Sequence, residues 1–348
     1  MKNTEYINKL RVFATLMVIM LHVSAPVRDQ LENMNALNWF IGSLFDGFSR
    51  AGVPLFLMIS GALLLNKKES LKDFYVKRLL RILIPFLFWG LFYGFYWTIS
   101  LGKELNVTET LLSVFKGPTS YHLWYLYTII GIYLVSPFLR ILIENITKVQ
   151  IQILLILGLI FNILLPHIYS EFYIWFKTDL KLGFKLPMID VYLWYFILGF
   201  YLQKYFSPSK KANFYLFAYI FTSVITVFLG YLVYVHGKTY NPLFILNESP
   251  FVFLQATFIY LHFKRKNFEE KNKQSKIIST LNFLSFGLYL IHPFLIDLFD
   301  KGFLGFALHA KKMDTILSIP LSFLTIVITS TVVCWIISKI PIFKKTIN

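Results

Sequence analysis

The sequence predicts an all-α, polytopic membrane protein, with about ten transmembrane helices in one bundle and both termini cytoplasmic. Three observations carry this expectation. Of 348 residues, 57% are hydrophobic and only 15% charged, whereas soluble domains carry about a quarter charged residues. The apolar residues are grouped into runs, and about 20 such residues cross the hydrocarbon core as a helix. The Lys and Arg residues collect in the short segments between those runs.

Apolar runs occur near 10–26, 39–65, 79–101, 121–143, 149–169, 188–206, 213–235, 246–263, 280–299 and 314–338. The first has a basic start and a Val-Ser-Ala exit before Pro26, which is the outline of a cleaved signal peptide. Cleavage would discard Arg11 and His22, so a retained helix is expected. In the second run, 40–48 reads as an interfacial approach and 52–65 as the part that completes the crossing. No repeat of fixed period is evident, and 264–276 reads as a solvated cytoplasmic loop. No soluble-looking block exceeds about 25 residues, so residues 1–348 are expected to form one integral-membrane domain.

Charge orients the bundle. With the N-terminus inside, about two thirds of the 34 Lys and Arg fall on the cytoplasmic side, the side on which positive charge is retained. The net charge of +16 is dispersed over short loops rather than gathered on one soluble face. It therefore points to membrane lipid headgroups and excludes nucleic acid as a partner. The single cysteine, Cys334, lies in an apolar run. It excludes an intrachain disulfide and has packing as its expected role.

Ionisable groups at bilayer depth cost several kcal/mol and usually face a cavity or a partner. Arg11 and His22 both lie in the first helix, eleven residues apart. Helical geometry puts them about 20° apart on one face and roughly 16 Å apart along the axis. Arg11 then sits at the cytoplasmic mouth and His22 deep in the outer half. A working pair is one reading; a snorkelling arginine with a hydrogen-bonded histidine is the other. Arg78 and Arg81 are i, i+3 neighbours in Lys77-Arg78-Leu-Leu-Arg81 and project from nearly one face. Guanidinium forks suit phosphate oxygens, and two basic residues there equally serve as topology anchors.

Weaker candidates complete the set. Ser60-Gly61 interrupts an apolar stretch, where small residues permit close helix approach. His122 and Trp124 open the fourth helix in a belt of aromatics, and His292 lies three residues beyond Tyr289 on its face. Asp46, Asp190 and Asp297 are the carboxylates able to orient an imidazole. No Gly-rich phosphate loop, Gly-x-Ser-x-Gly elbow or close His/Cys pair is present, so neither a metal nor a permanently bound cofactor is expected.

Arg11-x10-His22, then Arg50-Ala-Gly-Val-Pro-Leu-Phe-Leu-Met-Ile-Ser60-Gly61, then Arg78-x-x-Arg81, and late Ser-Phe-Gly-Leu-Tyr-Leu-Ile-His292 together resemble the acyltransferase-3 family. These are integral-membrane O-acyltransferases that decorate bacterial surface glycans. The resemblance runs from residue 1 to about 300 and agrees with ten helices and a cytoplasmic N-terminus. It implies that His22 is general base or acyl relay, with Arg11 as its partner. It implies that Arg78 and Arg81 hold the donor, cytoplasmic acyl-CoA and often acetyl-CoA. Ser60, His122, Trp124 and His292 are then candidate substrate-binding residues. The acceptor would be a glycan or lipid-linked saccharide at the outer side of a bacterial plasma membrane. Many relatives carry a fused extracytoplasmic esterase-like domain; this chain ends at Asn348 without one, so acylation is expected to finish within the membrane domain. The competing class is an exporter of a glycan or lipid-linked intermediate, with broken helices at Pro54, Pro85 and Pro137 forming its path.

Overall fold

Short polar residues mark where the apolar runs become helices. The side chains of Asn35, Ser70, Asn106, Thr147, Asp190, Ser275 and Asp314 each accept from a backbone N–H two or three residues on. Each removes one of the unpaired donors that a helix start would otherwise leave exposed. At Thr147 the bond is reciprocal, with Gln150 reaching back to the capping backbone. The computed structural model describes residues 5–30, 34–67, 69–180, 190–237, 244–269, 275–302, 308 and 314–347.

These caps delimit α1 (Glu5–Arg28), α2 (Ala36–Ser49), α3 (Gly52–Leu64), α4 (Leu71–Ser100), α5 (Val107–Lys116), α6 (Trp124–Asn145) and α7 (Lys148–Gly158). A π-helical turn, Leu159–Leu164, leads into α8 (Leu165–Phe176). Then come α9 (Val191–Tyr205), α10 (Ala212–Gly237), α11 (Pro250–Glu269), α12 (Lys276–Asp300), α13 (Thr315–Lys339) and the short α14 (Pro341–Lys344). Among the described residues every regular element is helical. Among the described residues, eight helices or continuous helical stretches are long and apolar enough to cross a membrane. The runs at 188–206 and 246–263 are not among them: α9 has 15 residues, about 22 Å of rise, and the last turns of α11 are charged.

The outer surface of the bundle is apolar. On α13, Leu317, Leu321, Leu324, Ile328, Val332 and Trp335 are all exposed at helical spacing, a stripe that a soluble protein would bury. The centre is built on α1, against which α2, α3, α11, α12 and α13 pack. Its Leu10, Ala14, Ile19 and Val27 are completely buried. Cys334 is free and fully buried, against Gly287 of α12. The pair α3 and α9 meets at Gly61 and Gly199. A Cβ on Gly61 would land on the Phe196 carbonyl, and one on Gly199 on the backbone of Met58.

The stretch 40–48 belongs to α2, whose Ser43 and Asp46 are buried in the bundle, and 36–64 forms one helical stretch long and apolar enough to cross. Two expectations need correction. Pro85 and Pro137 lie inside continuous helices, and Pro54 sits in the first turn of α3, where a proline disturbs least. The segment 264–276 is not simply a loop. Its first part is the last turns of α11, and the Lys264 ammonium is buried, donating to the carbonyls of Leu202 (2.5 Å), Phe206 (2.7 Å) and Gln203 (3.2 Å). A cation there answers the unpaired carbonyls at the end of α9. Within the basic segments, Lys2, Lys68, Lys271 and Lys273 lie outside the described residues. The helix α5 lies outside all ten apolar runs; it is short, and packs Val114 against Gly90 of α4.

Candidate active site

The face at which α1 begins carries a cavity of about 370 Å³. Four cations line it: Arg11 from α1, Lys67 from the α3–α4 linker, and Arg78 and Arg81 from the first turns of α4. Among the described residues no carboxylate lines it. The spacing of Arg78 and Arg81 therefore does bring both to one wall. Arg11 Nη1 donates to Asn282 Oδ1 of α12 at 3.0 Å, which holds its guanidinium at the cavity edge. Arg78 Nη2 lies 3.3 Å from Glu69 Oε1. Arg140 ties down that linker by donating to the carbonyls of Lys67 (2.7 Å) and Glu69 (3.0 Å). The result is a positive mouth with anchored walls, suited to a multiply charged anion.

Going inward the walls become aromatic. Ser60 lines the cavity and faces the hydroxyls of Tyr125 and Tyr133. Phe56, Tyr125 and Tyr289 close the end, with ring centroids 5.7–6.5 Å apart. Beyond this tier stand three histidines. The Tyr289 hydroxyl donates to the His122 carbonyl, linking tier and cluster. His122 and His292 rings are 5.5 Å apart, and those of His292 and His22 are nearly parallel, 15° between planes, with centroids 5.0 Å apart. His22 Nδ1 lies 2.7 Å from His292 Nε2. Tyr121, 52% exposed, packs its ring 4.9 Å from His22.

The helical-face calculation is realised, because Arg11 and His22 both meet α12, at Asn282 and His292 respectively. One shared cavity is not: His22 is not among the residues lining the space around Arg11. The aromatic tier stands between them, supplied by α3, α6 and α12. The carboxylates expected to orient His22 are engaged elsewhere. Asp46, 1% exposed, is clamped by Arg50 (2.6 and 2.8 Å) and Arg28 (3.0 Å). Asp190 caps α9, and Asp297 holds Lys301 at 2.7 Å and the Tyr96 hydroxyl.

Trp124 does not itself line the cavity; its ring lies 5.1 Å from that of Tyr192 and 6.3 Å from that of Tyr125. His122 is buried, with neither ring nitrogen hydrogen-bonded among the described residues. The neighbouring Leu290 carbonyl accepts from the Tyr93 hydroxyl at 2.8 Å. No described group of His, Cys, Asp and Glu is arranged to hold a metal ion. Sequence reasoning did not single out Lys67, Tyr125, Tyr133 and Asn282 as site residues. For Asn282 a signal existed: it is an amide in an apolar run, three residues before Ser285 and on its side.

The family model described as an acyltransferase domain matches residues 4–339. The chain is similar to the probable poly-beta-1,6-N-acetyl-D-glucosamine export proteins of Staphylococcus aureus strains MSSA476, MW2 and N315. Each is 24% identical over 299 residues, which is 83% of this chain and 81% of the relative. No solved structure matches.

Proposed function

The chain belongs to the acyltransferase-3 family, and from that premise we propose that it is a membrane O-acyltransferase using cytoplasmic acyl-CoA, with acetyl-CoA as the first donor to test. The acceptor is a hydroxyl of a glycan or lipid-linked saccharide on the outer side of a bacterial plasma membrane. In this reading α9 and α11 complete ten crossings, and both termini are cytoplasmic. The observation that carries it is a four-cation cavity at the face where α1 begins, with a single aromatic tier between it and a cluster of three imidazoles.

The chemistry follows from the placement. Arg78, Arg81, Lys67 and Arg11 hold the phosphates of CoA, and the thin pantetheine arm runs inward past Ser60. Delivery of the thioester to the histidines requires the tier of Phe56, Tyr125 and Tyr289 to part. His22 takes the proton of the acceptor hydroxyl as its oxygen attacks the thioester carbonyl. The new C–O bond forms, the C–S bond breaks, and the imidazolium returns the proton to the leaving thiolate. The acyl group thus crosses the membrane while CoA stays on its own face.

Purified protein incubated with radiolabelled acetyl-CoA and a glycan acceptor should place label on the glycan; label that stays on the donor contradicts the reading. Arg78→Ala and Arg81→Ala should each raise the acyl-CoA dissociation constant about 10- to 100-fold. That is the worth of one charge-assisted hydrogen bond, about 1.5–3 kcal/mol. Calorimetric titration with CoA checks this, and unchanged affinity reduces the pair to topology anchors.

The export reading draws its support from the names of the Staphylococcus aureus relatives. Against it stand the unbroken helices at Pro85 and Pro137, where many transporters interrupt theirs. The cavity also ends at the aromatic tier, which leaves no open path for a polymer among the described residues.

A further inference from the structure

We infer that His292 is the positioning residue for His22, fixing its tautomer so that Nε2 is the atom that takes the acceptor's proton. This rests on the acyl-transfer reading and adds to it a residue with a defined task.

The inference begins with a proline. Pro293 has no N–H, so the Tyr289 carbonyl, four residues back in α12, lacks its usual helical donor. The Leu288 and Tyr289 carbonyls both face the His292 ring, and Nδ1 lies 3.1 Å from the Leu288 oxygen. A carbonyl can only accept, so His292 Nδ1 carries a hydrogen. The ring is completely buried, and among the described residues no carboxylate pairs with it. A buried ring without a counter-charge is neutral, so its other nitrogen, Nε2, is a bare acceptor.

That nitrogen faces His22 Nδ1 at 2.7 Å. Two bare nitrogens do not attract, so the hydrogen is on His22 Nδ1 and points to His292. The remaining nitrogen of His22, Nε2, then holds a lone pair. It has no hydrogen-bond partner among the described residues, and His22 is half-buried as a residue, whereas His122 and His292 are buried. A general base needs this arrangement: one nitrogen free for the substrate and the other tied as a donor, so that ring and tautomer are set beforehand. In many hydrolases a carboxylate does the tying. Here a neutral histidine does it, itself set by two backbone carbonyls. When Nε2 takes the hydroxyl proton, the Nδ1–H of the imidazolium is still received by His292, and the positive charge is not stranded. Asp46, Asp190 and Asp297 are occupied elsewhere, so no described carboxylate competes for this task.

Two variants of the full-length reconstituted protein test this. His292→Leu removes the acceptor; His292→Gln restores one through its side-chain oxygen. We expect His292→Leu to lower kcat at least 100-fold, with the KM for acetyl-CoA within about threefold, because the donor cavity lies beyond the tier. His292→Gln should recover to within about tenfold of the wild-type kcat. Wild-type kcat in His292→Leu overturns the proposal. So does a His292→Gln no better than His292→Leu, or a joint loss of kcat and donor binding, either of which marks a packing role. Should His292→Leu fail to fold, ¹⁵N chemical shifts of histidine-labelled protein decide, with His22 assigned by difference against His22→Asn. A hydrogen on His22 Nδ1 supports the inference, and one on Nε2 overturns it. The two levels separate: wild-type protein without any acyl transfer sinks the acyltransferase reading, while the tautomer is measured without turnover.

Discussion

His22→Ala is expected to lower acyl transfer about a thousand-fold while acyl-CoA still binds with near-normal affinity. General-base catalysis by a placed side chain is commonly worth 10²- to 10⁴-fold, and His22 is the only member of the histidine cluster that is not fully enclosed. The split between rate and affinity is what the tier of Phe56, Tyr125 and Tyr289 demands. In the proposed mechanism the donor phosphates are held by the cations on one side of it, and the base stands on the other. Steady-state kinetics with saturating acceptor, alongside titration with CoA, measure both quantities. Turnover within a few-fold of wild type removes His22 from the chemistry. Loss of CoA affinity in this variant means that donor site and base are not separate.

The second large effect concerns the scaffold. Gly61→Val is expected to cost more than about 3 kcal/mol, enough to abolish recovery of folded protein from detergent. Inserting carbon into a packed site usually costs about 1–3 kcal/mol when neighbours yield. Here the obstacle is the Phe196 carbonyl, held in the backbone of α9, which cannot rotate away. The helices must separate, and between apolar helices in lipid close packing is the main attraction. Because Ser60 precedes Gly61 and lines the donor cavity, the same displacement disturbs the wall of the site. Gly131→Ala is the control, since nothing lies within 4 Å of a Cβ at that position; it should leave the melting temperature unchanged or slightly raised. Equal melting of Gly61→Val and wild type would show that α3 and α9 do not meet as described.

Much of this was legible in the residues themselves because it depends on local geometry. Run length against bilayer thickness finds most of the crossings. The helical repeat alone puts Arg11 and His22 on one side of α1, and the same rule puts Arg78 beside Arg81. Ser60-Gly61 announces a close helix approach without naming the partner. What could not be read is what comes from distant parts of the chain. Asn282 and His292, which meet Arg11 and His22, lie some 270 positions away. Asp46 looked as free to orient an imidazole as Asp297 did, until Arg28 and Arg50 were found around it. The aromatic tier is assembled from α3, α6 and α12, and in a chain with 19% aromatic residues no pattern marks those three rings. Trp124, by contrast, was a candidate only by its nearness to His122, and α6 turns it toward Tyr192.

In the proposed mechanism donor and base lie on opposite sides of one partition, so that an acyl group passes through while CoA does not. Sidedness in proteoliposomes of fixed orientation tests it most directly. Acetyl-CoA labelled in the acetyl group is confined to the face bearing Arg78 and Arg81, and the glycan acceptor to the other. The account predicts labelled glycan on the far face, free CoA on the near face, and no reaction when the two compartments are exchanged. Reaction only when donor and acceptor share a face, or movement of unlabelled glycan with the donor intact, would contradict it.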